Sequence, residues 1–125
     1  MAWRAIHDSI RRSDSLADLS DFGERLFWRV LAQTDAWGRL EGSARKVKAE
    51  CIPMLNKSET QTEAGLAELE QAGRISRYQV DGRVFLQVVD FDSHQPTDFL
   101  RKRGPSRFPA QPGQIRQHAG ISGPM

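Results

Sequence analysis

The sequence predicts an α+β domain of the winged helix-turn-helix type, in which a two-stranded β-hairpin closes three helices and a disordered C-terminal tail follows. Along the chain, the predicted order is helix, short strand, helix, helix, hairpin. The dipeptide Asp81-Gly82, which favours tight type I′ turns, joins two alternating runs at 74–80 and 83–89. A chain of 125 residues, 38% hydrophobic and 27% charged, is long enough for one such globular domain.

The first strong helix is predicted to begin near Ser20 and to end near Gln33. Ser20 or Asp21 can accept a hydrogen bond from a free helical N–H group, and Asp21 and Glu24 have capping-box spacing. The apolar residues that follow share one helical face: Phe22, Leu26, Phe27, Val30 and Leu31. Residues 1–19 are predicted to form an irregular or partly helical arm.

A very short strand and a second helix follow the turn that Gly38 marks. The strand is predicted at 39–41. Ser43 is placed to cap a helix over 44–51. Because proline cannot continue a helix interior, Pro53 requires this helix to end before it.

The third helix is predicted to start near Thr60 or Thr62, since Thr60 and Glu63 have capping-box spacing. Gly73 lies where a left-handed residue ends many helices. A buried stripe is supplied by Ala64, Leu66, Leu69 and Ala72.

The positive charge of the chain is concentrated in its last thirty residues. Residues 1–95 contain 13 Lys/Arg and 15 Asp/Glu, whereas residues 96–125 contain five and one. The same segment holds five of the six prolines and few large apolar residues, so it buries too little surface to offset its chain entropy. We therefore expect a winged-helix domain at 20–95 and a flexible basic tail at 96–125, ordered only where it docks on the core or a partner.

Several classes of protein are disfavoured by the sequence. Its longest apolar runs are far shorter than the roughly 20 residues of a membrane span, and the N-terminus has no apolar signal segment, so a cytoplasmic protein is expected. The single cysteine, Cys51, is interpreted as a core residue. No HExxH, CxxC or phosphate-binding loop occurs, so no cofactor, metal or catalytic activity is predicted.

One cluster of polar residues has two interpretations. Asp90, Asp92 and His94 alternate along an extended segment, and two carboxylates with an imidazole suit a divalent cation. We favour the alternative, in which these residues form the polar end of the second hairpin strand and Phe91 packs inward.

Six phrases of the chain form an ordered pattern that covers roughly residues 6–110. They are LSDFGERLFWR (19–29), DAWGRL (35–40), LAELEQAGRI (66–75), YQVDG (78–82), FDSHQ (91–95) and PSRFP (105–109). Their joint order and spacing resemble the N-terminal winged-helix domain of phage and prophage replication-initiator proteins, the DnaD-like group of replisome organisers. The resemblance implies a phage or prophage DNA-binding module that serves origin recognition or helicase recruitment in the cytoplasm of a bacterial host.

A DNA-binding winged helix normally places its third helix in the major groove and cations on the flanking phosphates. The third helix here carries four glutamates, which phosphates repel, so we expect the cations to come from other elements. Gln61 and Thr62 are predicted to be exposed and to contact bases. The predicted contacts to the duplex backbone lie on the second helix, the hairpin and the tail: Arg45, Lys46, Lys48, Arg74, Arg77, Arg83, Arg101, Lys102, Arg103 and Arg107.

The alternative function is that of a protein-binding winged helix. A net acidic core and a Glu-rich third helix suit a basic patch on a host replication or defence protein. The predicted interface residues are Trp3, Trp28, Glu59 and Glu63, although a tryptophan such as Trp28 also commonly covers a core edge. A homodimer that reads two half-sites is compatible with either function.

Overall fold

The computed structural model describes residues 4–6 and 13–113, which form an α+β fold. Its helices are α1 (Asp14–Ala17), α2 (Asp21–Gln33), α3 (Ala44–Cys51), α4 (Glu59–Gln71) and α5 (Thr97–Lys102), with a 3₁₀ turn at Asp92–His94. Its strands are β1 (Arg39–Glu41), β2 (Ile75–Val80) and β3 (Arg83–Val88). They form one antiparallel sheet in the order β1-β3-β2. Among the described residues, none of these helices combines the length and apolar character needed to cross a membrane.

Serine side chains cap the N-termini of α2, α3 and α4. Ser20, Ser43 and Ser58 each accept a hydrogen bond from the backbone N–H three residues later. The predicted start of α4 near Thr60 agrees within one residue with the observed start at Glu59, but the predicted cap at Thr60 is wrong, because Ser58 and Gln61 form the capping box. This cap prevails since the serine hydroxyl and the glutamine amide each satisfy the backbone N–H of the other residue.

The predicted hairpin is confirmed. Val80 pairs with Arg83 at its closed end, and Asp81 and Gly82 both have positive φ, at 52° and 78°. A type I′ turn needs positive φ at both of these positions. The short strand predicted at 39–41 pairs with the other edge of β3.

The hydrophobic core lies between one face of the sheet and the helices α2, α3 and α4. Its members include Leu40, Ile75, Leu86 and Val88 from the strands, and Leu26, Phe27, Val30, Val47, Ile52, Leu66 and Leu69 from the helices and the loop after α3. α2 and α4 approach closely at Gly65, where a Cβ atom would lie 2.8 Å from Cδ2 of Leu26. Cys51 belongs to this core as predicted, and burial raises the pKa of its thiol to about 12.

The opposite face of the sheet is covered by residues 103–111, which we call the strap. Tyr78 and Phe85 are cross-strand partners on this outer face, and both are buried. The Phe108 ring packs on Phe85 with ring centroids 6.1 Å apart. The Tyr78 hydroxyl donates a hydrogen bond to the Pro109 carbonyl at 2.6 Å. The sheet therefore has apolar contacts on both faces.

The tail predicted from residue 96 is ordered over 96–113, which contain α5 and the strap, and it is ordered by docking on the core, as the prediction allowed. Composition alone could not locate this order, because part of it comes from aromatic rings and hydrogen-bond donors that the sheet supplies to the strap. The boundary predicted at residue 95 lies within the folded unit. The arm also contacts this region, since the Ala5 N–H donates to Oε1 of Gln95 at 3.1 Å. Residues 114–125 lie outside the described part of the chain.

The carboxylate of Asp35 ties the strap to the turn before β1. Its Oδ1 accepts the backbone N–H groups of Trp37 at 2.9 Å and Arg39 at 3.0 Å. Its Oδ2 accepts the Ser106 hydroxyl at 2.5 Å and the Arg107 N–H at 3.1 Å. Asp35 is only 8% exposed, so these four donors replace its water. One side chain thus joins segments 71 residues apart in sequence.

Replacing Asp35 with alanine is expected to lower the free energy of unfolding by about 2–4 kcal/mol, because it leaves several buried donors without an acceptor. Urea denaturation followed by circular dichroism measures the loss. The matched control is Asp98→Ala, which removes a carboxylate whose ion pair with Arg101 is exposed, and should change stability by less than about 1 kcal/mol. Equal losses in the two variants would contradict the role assigned to Asp35.

Candidate nucleic-acid interface

The exposed face of α4 is a stripe of uncharged residues. Thr60, Ala64, Ala67 and Gln71 follow one another at three- and four-residue spacing, and all are exposed. We call these four residues the outer stripe. Two of them are alanines, so the backbone of α4 is accessible to a partner that approaches this face.

The glutamates of α4 that flank this stripe contact neighbouring elements of the fold. Glu63 and Glu70 both bind the Arg77 guanidinium from β2. Glu68 accepts hydrogen bonds from the backbone N–H of Ser20 at 2.6 Å and from its hydroxyl at 2.7 Å. The Glu-rich composition of α4 therefore does not put carboxylates along its outer stripe, although the charge on its flanks remains.

Arg77 was predicted to contact DNA, and the structure places it elsewhere. Strand alternation puts it on the inner face of the sheet, with its side chain 14% exposed. It donates to Oε2 of Glu63 at 2.6 Å, to Oε1 of Glu70 at 2.7 Å and to the Gly42 carbonyl at 3.3 Å. Hydrogen bonding to Glu63 raises the pKa of Arg77 and lowers that of Glu63. Arg77 therefore fixes the hairpin against α4, and Glu63 is occupied within the domain.

The two predicted base-reading residues differ in exposure. Thr62 is 0% exposed, and its hydroxyl donates to the Ser58 carbonyl at 2.9 Å, so the prediction for Thr62 is wrong. Helical spacing places Thr62 on the same buried face as Leu66 and Leu69. Gln61 is exposed as predicted, and its Oε1 accepts the Ser58 N–H at 2.8 Å.

One of the predicted cations of α3, Lys46, lies close to Arg83 of the hairpin. Lys46 pairs with Glu41 at 3.6 Å, and Arg83 pairs with the same carboxylate. The Glu41 carboxylate thus holds Lys46 of α3 close to Arg83 of the hairpin. Arg45 and Lys48 have no carboxylate within ion-pair distance in the described part of the chain. These two side chains are the cations of α3 best able to bind an external anion.

Two further predicted DNA contacts are used inside the fold. The Arg74 guanidinium lies over the Phe27 ring, 5.0 Å from its centroid. Arg103 binds the Asp92 carboxylate with two hydrogen bonds, at 2.7 and 2.9 Å, and stacks 3.5 Å from the Trp37 ring centroid. Both arginines thus stabilise packing, which sequence composition could not distinguish from surface exposure.

The three other tail cations that were predicted to contact DNA are exposed. Lys102 lies on α5 and Arg107 on the strap, while Arg101 pairs with Asp98 within α5. The structure does not place these three residues on the same element as the outer stripe.

The predicted protein-interface residues are dispersed. Trp28 is half-buried against Phe27, with ring centroids 5.0 Å apart, and its indole N–H donates to Glu24 at 3.4 Å. It therefore covers the core edge. Glu59 is exposed at the start of α4. Trp3 lies outside the described residues.

The cluster at the end of β3 is not arranged as a metal site. Within residues 4–6 and 13–113, no three His, Cys, Asp or Glu side chains are positioned to hold one ion. Asp92 instead binds Arg103, and Phe91 packs inward at 3% exposure, in agreement with the interpretation favoured above.

Sequence reasoning missed the outer stripe and the exposure of Met54. The stripe could have been found by taking the face of the third helix opposite Leu66 and Leu69. Met54 is 89% exposed in the loop between α3 and α4, and nothing in its residue type distinguishes it from a core methionine.

Comparison with protein-family models, curated proteins and solved structures finds no match to this chain. The assignment of a function therefore depends on the geometry of its own residues.

The ion pair of Glu63 gives the stability a defined pH dependence. Because the folded pKa of Glu63 lies below its ordinary value of 4.5, its contribution is present above that pH and is lost as the pH falls through the lowered pKa. Glu63→Gln should therefore be less stable than the wild type at pH 6, and the difference should shrink as the pH approaches 3. Thermal denaturation between pH 3 and 7 measures it. Glu59→Gln is the control, and a similar pH dependence in both variants would exclude Glu63 as the source.

Proposed function

We propose that the chain is a winged helix-turn-helix protein that binds duplex DNA, with α4 as the recognition helix and the β2–β3 hairpin as the wing. The observation that carries the proposal is the outer stripe, a small and uncharged helical face that can enter a major groove. The order of helices and strands supports the same assignment.

The residues in the outer stripe and beside it suit the two parts of DNA recognition. Gln61 and Gln71 carry amides of the kind that bind adenine edges, and the methyl groups of Ala64 and Ala67 suit thymine methyls. On α3, Arg45 and Lys48 are free to bind phosphates. Lys46 of α3 and Arg83 of the hairpin would first exchange the Glu41 carboxylate for a phosphate oxygen.

The resemblance to phage and prophage replication initiators extends this proposal to a biological role. In that role the domain binds origin DNA in a bacterial cytoplasm and performs no catalysis itself. A homodimer that reads two half-sites is compatible with the proposal.

Ala67→Glu is expected to weaken duplex binding by at least about tenfold, because it places a carboxylate and added bulk on the outer stripe. Fluorescence anisotropy with a labelled random duplex at low salt measures affinity. The matched control is Ala32→Glu, the same exchange at an exposed position of α2, and it should bind like the wild type. Equal loss in both variants would indicate a general charge effect, and no loss in either would contradict the role of α4.

The double variant Arg45→Ala/Lys48→Ala tests the phosphate contacts separately. Each lost contact removes about 0.9 from the slope of log affinity against log salt, so the slope should become less steep by about 2. The titration is repeated at several salt concentrations between about 50 and 300 mM, a range over which the affinity of such contacts changes enough for the slope to be measured. An unchanged slope would assign phosphate binding to cations other than Arg45 and Lys48. The double variant Arg101→Ala/Lys102→Ala is titrated in the same way for comparison.

Recognition of a protein is the second candidate function. It is favoured by Met54, an exposed methionine beside Pro53, since flexible apolar side chains are common at protein interfaces. Glu59 lies close by in sequence and suits a basic partner. Failure of the wild-type chain to bind any duplex at low salt would favour this function over DNA binding.

A further inference from the structure

Side chains on the outer face of the sheet donate hydrogen bonds to backbone carbonyls of the strap. The Trp37 indole N–H donates to the Gly104 carbonyl at 2.7 Å, and the Tyr78 hydroxyl donates to the Pro109 carbonyl at 2.6 Å. Between these points, the Arg39 guanidinium reaches the Phe108 carbonyl at 3.5 Å. Three donors on the sheet side therefore follow the strap along its length.

The strap in turn presents its own donors to one carboxylate. The Ser106 hydroxyl and the Arg107 N–H both bind Oδ2 of Asp35. At the far end, the Ser76 hydroxyl donates to Oε1 of Gln111 at 3.1 Å. These contacts fix the direction and register of the segment on the sheet.

The apolar part of the contact is aromatic. Phe108 packs on Phe85, which is itself 6.0 Å from the Tyr78 ring. Pro105 and Pro109 lie within the strap on either side of residues 106–108 and restrict its backbone before it binds. An aromatic surface whose indole and phenol groups donate to carbonyls is the arrangement by which proline-rich extended peptides are recognised.

We propose that the outer face of the sheet is a peptide-binding site for an extended, proline-flanked segment, and that the strap of a second copy of this chain can occupy it in place of the chain's own. A second copy supplies the same residues 103–111, so every contact described above forms equally well between two molecules. Within one molecule, the short connection through α5 gives the chain's own strap a high effective concentration and keeps it in place. Strap exchange thus begins when the internal contact is weakened, and it is independent of the proposed DNA binding.

A pair of complementary full-length variants tests the exchange. The acceptor, Ser106→Ala/Phe108→Ala, keeps the sheet face and weakens its own strap. The donor, Asp35→Asn/Tyr78→Phe, keeps the strap and weakens its own sheet face. Mixed at about 100 µM, roughly a tenth of the millimolar effective concentration within one molecule, the two should form a 1:1 heterodimer by light scattering, while each alone remains monomeric. Monomers alone in the mixture, with both variants folded by circular dichroism, would overturn the proposal.

A second measurement separates the site from the source of its ligand. A fluorescein-labelled peptide of residues 103–112 should bind the acceptor and bind the wild-type chain at least about tenfold more weakly, because the wild-type strap competes. The same peptide with Phe108→Ala should lose binding to the acceptor. Peptide binding without heterodimer formation would assign the face to a foreign proline-flanked peptide and overturn the role of a second copy. If the donor does not fold, Tyr78→Phe alone replaces it.

Discussion

The carboxylate of Asp35 is the interaction on which the arrangement of this domain depends. It holds the turn before β1 through two backbone N–H groups and the strap through Ser106 and Arg107. Without it, the strap would lose the two hydrogen bonds that tie Ser106 and Arg107 to this turn and would be held by its remaining contacts, among them those with Trp37, Arg39 and Tyr78. A small domain with one three-stranded sheet gains a second set of packing contacts in this way, which matters because its helical core is limited in size.

The local elements were predictable from sequence because their signals are local. Ser43 before 44–51 and Asp81-Gly82 between two alternating runs specify a helix start and a hairpin within a few residues. The strap was not predictable, since the groups that order it lie far away in sequence. Tyr78 and Pro109 are 31 residues apart. The strap contains few apolar residues, so its composition does not indicate that it packs on the sheet.

The candidate site shows the same division. Arg45 and Lys48 could be assigned to an accessible helix face from sequence, whereas Arg77 was misassigned because cations were counted without their strand register. Its alternation with Ile75 places it on the inner face, where two glutamates of α4 receive it. Thr62 was misassigned because its place on the same helical face as Leu66 and Leu69 was not used. For both residues, the strand or helix was predicted correctly, and the error was in which of its faces carries the side chain.

Two guanidinium groups contact the Trp37 ring, with Arg39 5.3 Å and Arg103 3.5 Å from its centroid. Arg39 belongs to the sheet and Arg103 to the strap, so only one of the two leaves the ring when the strap detaches. Indole emission depends on the polarity and charge around the ring. The Trp37 share of the indole emission is therefore an intrinsic reporter of strap position, which adds to the emission of Trp3 and Trp28.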